Sequence, residues 1–155
     1  MSPLRRTGFA FIASLMMGGT ALAAAQHLEV LSTNGCGCCI AWTKHIEENG
    51  YTAEIEHQHM ADMLQVKIKA VLRPGQTICN TAMIEGYVIE GHVPAREIDR
   101  LLAERPDAIG LAVPGMPYGS PGMGEPGPDA DPYDVLLVRR DGSTEVFASY
   151  PDGRD

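Results

Sequence analysis

The chain has 155 residues, 45% of them hydrophobic and 21% charged, with a formal net charge of −8. That length suits one domain that buries a full core without covalent staples. The acidic balance excludes a basic nucleic-acid-binding surface, since Lys67, Lys69 and Arg73 are spread through one apolar helix and Arg139-Arg140 end a strand.

The first 25 residues read as a secretory signal peptide: Arg5-Arg6, an apolar run from Phe9 to Met17, then small residues at Ala21-Leu22-Ala23 and Ala24-Ala25. The run is too short to span a bilayer, which takes about 20 residues. The mature chain is therefore expected to comprise residues 26–155 as one exported domain, with no stable membrane insertion after cleavage. Leu28 to Thr33 reads as a strand. It leads directly into Cys36-Gly37-Cys38-Cys39, three thiols in four residues, and then into a helix from Ile40 that stops at Asn49-Gly50. Thr52 to His57 reads as a second strand. Met60, Met63, Leu64, Ile68, Val71 and Leu72 recur at helical spacing and end before Pro74-Gly75, and on this pattern Met60 and Met63 are assigned to the core.

Thr81 to Ile84, a turn at Glu85-Gly86, and Tyr87 to Glu90 form a hairpin signal. Met83, inside the first of these strands, is also assigned to the core. Pro94 then opens a helix through Ala103. Residues 110 to 132 are rich in Gly and Pro and carry Pro114-Gly115-Met116-Pro117 and Pro121-Gly122-Met123-Gly124. Such a long stretch without structure in a compact domain is usually functional or disordered. Tyr133 to Val138, Asp141-Gly142 and Thr144 to Ala148 make a second hairpin, and the tail after Tyr150 is expected to fray. The order β-α-β-α-β-β-α is the thioredoxin arrangement, here with a long Gly/Pro/Met loop and an added C-terminal β-hairpin. Asn80 stands where thioredoxins carry a cis-proline.

A Cys-x-x-Cys pair at a strand-to-helix junction lies where unpaired helix N–H groups favour thiolate, which is both nucleophile and metal ligand. In the expected fold the loop before the third strand faces that helix terminus, so Cys79 converges on Cys36, Cys38 and Cys39. Three chemistries fit less well. A structural disulfide from Cys79 leaves two thiols unexplained, and an oxidoreductase needs only Cys36 as attacking and Cys39 as resolving thiol. A zinc or iron-sulfur site departs from the two-residue spacings usual there. Thiolate and thioether together select Cu(I), and Met116 and Met123 lie in a loop that apolar packing does not explain. His92, on the rim after the fourth strand, is a further ligand candidate. Trp42 is expected to pack beside the site, whereas His45, His57 and His59 are read as surface residues and His27 as a disordered one.

The runs Cys36-Gly37-Cys38-Cys39 with Trp42 and His45, Thr81-Ala82, Gly86 to Pro94, Gly110 to Pro117 and Gly119 to Met123 resemble the CopG-type exported metal-binding proteins. The resemblance covers nearly the whole mature chain. It implies a thioredoxin-like fold, a periplasmic location, association with other copper-resistance proteins, and copper binding with Cu(I)/Cu(II) redox work. Where that family has Cys-His-Thr, this chain has Cys79-Asn80-Thr81, and an asparagine is no copper ligand of comparable strength. The combined expectation is copper, one or more ions held mainly as Cu(I), on Cys36, Cys38, Cys39 and Cys79, completed by His92, Met116 and Met123. The thiols are close enough in sequence for bridging sulfurs and a multinuclear cluster. Thiol-disulfide exchange by Cys36 and Cys39 is the alternative.

Overall fold

The computed structural model describes residues 25–70, 72–76 and 78–153. The predicted signal segment through residue 24, and Val71, lie outside the described residues. Among the described residues, seven strands and three α-helices follow one another as β1 (His27–Thr33), α1 (Gly37–Glu48), β2 (Thr52–Gln58), α2 (Met60–Lys69), β3 (Asn80–Ile84), β4 (Tyr87–Glu90), α3 (Ala95–Glu104), β5 (Gly110–Ala112), β6 (Tyr133–Val138) and β7 (Thr144–Tyr150). A 3-10 turn, Pro74–Gln76, precedes β3. All seven strands join one mixed sheet in the order β2-β1-β3-β4-β5-β6-β7.

Strand β1 lies inside the sheet, parallel to β2 and antiparallel to β3. Its alternating Leu28 and Val30 face a core shared with Ala82, Ile84, Ile89, Leu111, Val135 and Leu137. Trp42 and Ile46 of α1, and Ile98 and Leu101 of α3, close that core from one side. The opposite sheet face carries Ala112 and Val138, covered by Leu72 just past α2. Glu85 and Gly86 both take positive φ, 46° and 86°, the geometry that suits a tight hairpin between β3 and β4.

Several expectations change. Residues 110–112, expected in the loop, form β5, paired parallel to β4 and antiparallel to β6, and through this short strand the C-terminal hairpin extends the sheet. Three residues are too few to announce themselves by alternation. Gly110 is required there because a Cβ would meet the Val88 carbonyl oxygen at 1.7 Å.

Helix α2 is rotated relative to its apolar stripe. Met63 and Lys67 are its buried residues, while Met60, Leu64 and Ile68 are exposed. The cause is a partner for Lys67 inside the sheet, Glu90, which turns the lysine inward. Met83 faces the same side of the sheet beyond the cover of α2 and is 36% exposed. His27 is ordered in β1, with Nδ1 3.0 Å from Thr52 Oγ1. Beyond Tyr150 the chain turns, Gly153 N–H donating to the Tyr150 carbonyl, and Gly153 is buried. Among the described residues no helix is long and apolar enough to cross a membrane.

Candidate metal centre

Strand β1 ends at Thr33, and Cys36 caps α1, its Sγ accepting from the Cys39 N–H at 3.3 Å. A sulfur here takes the place of the oxygen that usually caps a helix. The first turn of α1 then presents Cys38 half-buried and Cys39 buried. Cys79 arrives from the loop before β3, where the Thr33 N–H donates to the Cys79 carbonyl at 3.3 Å and ties the two segments together.

Cys79 Sγ lies 3.3 Å from Cys36 Sγ, 3.3 Å from Cys39 Sγ and 3.8 Å from Cys38 Sγ. Cys36 and Cys38 sulfurs are 3.4 Å apart. All four Sγ atoms lie within 4.8 Å of one another, the convergence expected from the sequence. Cys36 and Cys39 are joined as a disulfide, whereas Cys38 and Cys79 are free thiols. A tetrahedral ion with sulfurs at about 2.3 Å needs sulfur pairs about 3.8 Å apart; the three Cys79 contacts are near that spacing, whereas the disulfide-bonded Cys36 and Cys39 must be reduced and move apart to reach it. Burial, and next the neighbouring Cys38, push the Cys79 thiol up to about 11. A metal binding there must displace a proton.

Met116 follows Gly115 in the loop after β5, and its Sδ reaches to 4.0 Å from Cys79 Sγ. Its φ of 77° is unusual for a residue with a side chain. Met123 is half-buried in the same loop, its backbone N–H bonded to Ser120 and its carbonyl to the Gly119 N–H. That loop lies directly on α1: a Cβ at Gly122 would meet the Trp42 amide nitrogen at 2.6 Å and the Cys38 carbonyl oxygen at 2.8 Å. The Gly-Pro segment, read from the sequence as functional or disordered, is therefore a docked cover over the first turn of α1.

His92 is fully buried and stands outside the four-sulfur group. Its Nδ1 is 2.8 Å from the Pro121 carbonyl oxygen, and its Nε2 has no hydrogen-bond partner. Burial holds its pKa below the usual 6.5. A neutral ring donating from Nδ1 leaves Nε2 with a bare lone pair, the form in which histidine binds metals.

Trp42 is fully buried in the core, its Nε1–H donating to the Val93 carbonyl at 2.8 Å. His45 differs: half-buried, its Nε2 accepts from the Ala95 N–H at 3.2 Å and links α1 to the start of α3. His57 and His59 are exposed. Asn80 is fully buried and spends its amide inside the fold, donating to the Gly91 carbonyl at 3.3 Å. Sequence reasoning missed Lys67 and Glu90, whose buried ion pair underlies the Cys79 turn. A lysine in an apolar helical stripe was the available signal.

A family profile described as a protein of unknown function, DUF411, matches residues 77–123. Two solved structures are similar over most of the chain. One, described as copper resistance protein CopG, Form 1, is 42% identical with a TM-score of 0.75, covering 82% of this chain and 98% of that one. The other, Form 2 of the same description, is 43% identical with a TM-score of 0.73, covering 82% and 99%. No curated protein matches the chain significantly. With this identity sustained over nearly the full length of those structures, the chain belongs to the CopG copper-resistance protein family.

Proposed function

We propose that this protein is a periplasmic copper-binding protein that holds Cu(I) on Cys36, Cys38, Cys39 and Cys79 for copper sequestration or redox detoxification. The observation that carries the reading is the convergence of four sulfurs within 4.8 Å at a helix N-terminus. The relatives' description as copper resistance proteins supports copper among the soft metals. The bare Nε2 of buried His92 and the Met116 sulfur beside Cys79 suit a soft-metal site, with Met123 in the cover above it. Four sulfurs on so few residues favour a small thiolate-bridged cluster over one isolated ion. The strand order β2-β1-β3-β4, with β1 parallel to β2, supports a thioredoxin-like core. Signal cleavage between Ala23 and Gln26 would deliver the domain to the periplasm, where other copper-resistance proteins are its expected partners.

The Cys36–Cys39 disulfide favours a second reading, thiol-disulfide exchange. The two are chemically compatible. Oxidation of the Cys36 and Cys39 thiols to the disulfide releases two electrons and two protons, enough to reduce two Cu(II) ions to Cu(I).

The test is anaerobic titration of the reduced mature protein with Cu(I) against a competing chelator, counting metal and free thiols on one sample. Tight uptake of more than one copper per chain with loss of free thiols is expected. Cys38→Ser should lower copper stoichiometry or affinity. If instead copper binds weakly and Cys38→Ser leaves insulin reduction at the wild-type rate, exchange chemistry replaces the copper reading.

A further inference from the structure

Lys67 and Glu90 form an ion pair buried on both sides, with side chains 3% and 0% exposed. Such a pair is poor evidence of stabilisation, because desolvation offsets the attraction. Its contacts suggest another reason for its presence. Glu90 Oε1 accepts from the Ile78 N–H at 2.7 Å and from Lys67 Nζ at 2.5 Å, and Oε2 accepts from Thr81 Oγ1 at 2.7 Å. Lys67 Nζ also donates to Thr81 Oγ1 at 2.6 Å and to the Asn80 carbonyl at 3.5 Å. The pair thus grips residues 78, 80 and 81. Cys79, between them, is left to turn its sulfur toward α1, 3.3 Å from both Cys36 and Cys39.

We propose that Lys67 and Glu90 are positioning residues for Cys79, a buried clamp that presents the fourth sulfur to the first turn of α1. The proposal rests on the copper reading above and names a part of the site that carries no ligand atom itself. Both carboxylate oxygens are occupied by donors, and an ammonium does not coordinate a cation. The clamp connects three elements, α2 through Lys67, β4 through Glu90 and the start of β3 through Thr81, so the Cys79 turn has the rigidity of the sheet and not of a loop. Groups that orient metal ligands from behind change metal affinity by about 10- to 100-fold when removed, and that range is the effect expected here.

The experiment compares wild type, Lys67→Met and the double variant Lys67→Met/Glu90→Gln, each also in a Cys79→Ser background. The double variant leaves no unpaired charge and serves should Lys67→Met alone not fold. Each reduced mature protein is titrated anaerobically with Cu(I) against a competing chelator, and amide hydrogen exchange is followed at residues 78–81 without metal. Affinity should fall about 10- to 100-fold in the clamp variants. In the Cys79→Ser background the same changes should have no further effect, because the clamp acts through that sulfur. Exchange at residues 78–81 should accelerate. Wild-type affinity in the folded double variant, or an equal loss with Cys79→Ser present, overturns the proposal. If wild type takes up no Cu(I), the copper reading fails by itself, and unchanged exchange at residues 78–81 then removes the clamp as well.

Discussion

Replacing Lys67 by Met tests the energetics of the buried pair independently of any metal. The substitution removes the ammonium beside a carboxylate that is 0% exposed, leaving the Ile78 N–H and the Thr81 hydroxyl as its partners. Burial already pushes the Glu90 carboxyl above its usual 4.5, with Lys67 the largest opposing influence. Without Lys67 the folded protein keeps Glu90 protonated, while the unfolded chain still ionises near 4.5. The folded state then binds more protons than the unfolded one, so stability falls as pH rises above that value. At about 1.4 kcal/mol per pH unit, holding Glu90 neutral at pH 7 costs at most about 3 kcal/mol, part of which the wild type, whose Glu90 is itself raised, already bears. For a domain of this size the substitution lowers Tm by up to about 10 °C. The assay is thermal and urea unfolding of the reduced protein, wild type against Lys67→Met, at pH 7 and pH 5.5. The loss relative to wild type should lie between about 1 and 3 kcal/mol at the higher pH and be clearly smaller at the lower. The Glu90→Gln change made on top of Lys67→Met should recover most of it. A loss below about 1 kcal/mol at pH 7, or one that does not shrink on acidification, refutes the reasoning.

Three further perturbations follow from single features of the site. Met116→Gly relieves a backbone held at φ 77° and should raise stability by up to about 1 kcal/mol while weakening Cu(I) retention; stability and affinity falling together would refute the strain argument. Gly122→Ala drives a methyl against the Trp42 amide and the Cys38 carbonyl, so the cover must lift, at a cost of about 2 kcal/mol, read as a lower urea midpoint. His92 is held below 6.5 by burial, so the unfolded chain binds the extra proton first and stability should drop as pH falls below 6.5. Substitution by Gln should flatten that part of the pH profile relative to wild type, and an unchanged slope would assign it to other groups.

Much of the architecture was legible because it is written in local terms. The alternation in Leu28 to Thr33, the Glu85-Gly86 turn and the glycine after Asn49 each reflect one element's own geometry. Strand β5 escaped because its three residues are defined by partners on β4 and β6, far away in sequence. The inward face of α2 escaped for a related reason. Apolar periodicity points to Met60, Leu64 and Ile68, yet the helix is oriented by a charge pair whose other half lies in β4. His45 likewise looked like a surface residue until α3 brought the Ala95 N–H to its ring.

The sequence by itself determined the inventory of the candidate site. Three thiols at a strand-to-helix junction, with a fourth before the third strand, could converge in only a few ways, because strand pairing and a helix terminus leave little freedom there. Tertiary structure decided what surrounds the sulfurs. Desolvation of His92, the glycine-dependent docking of the loop cover at Gly122 and the Lys67–Glu90 grip on the Cys79 turn all depend on contacts between segments distant in the chain. Burial and charge pairing are properties of neighbours in space, and no local pattern of residues encodes them.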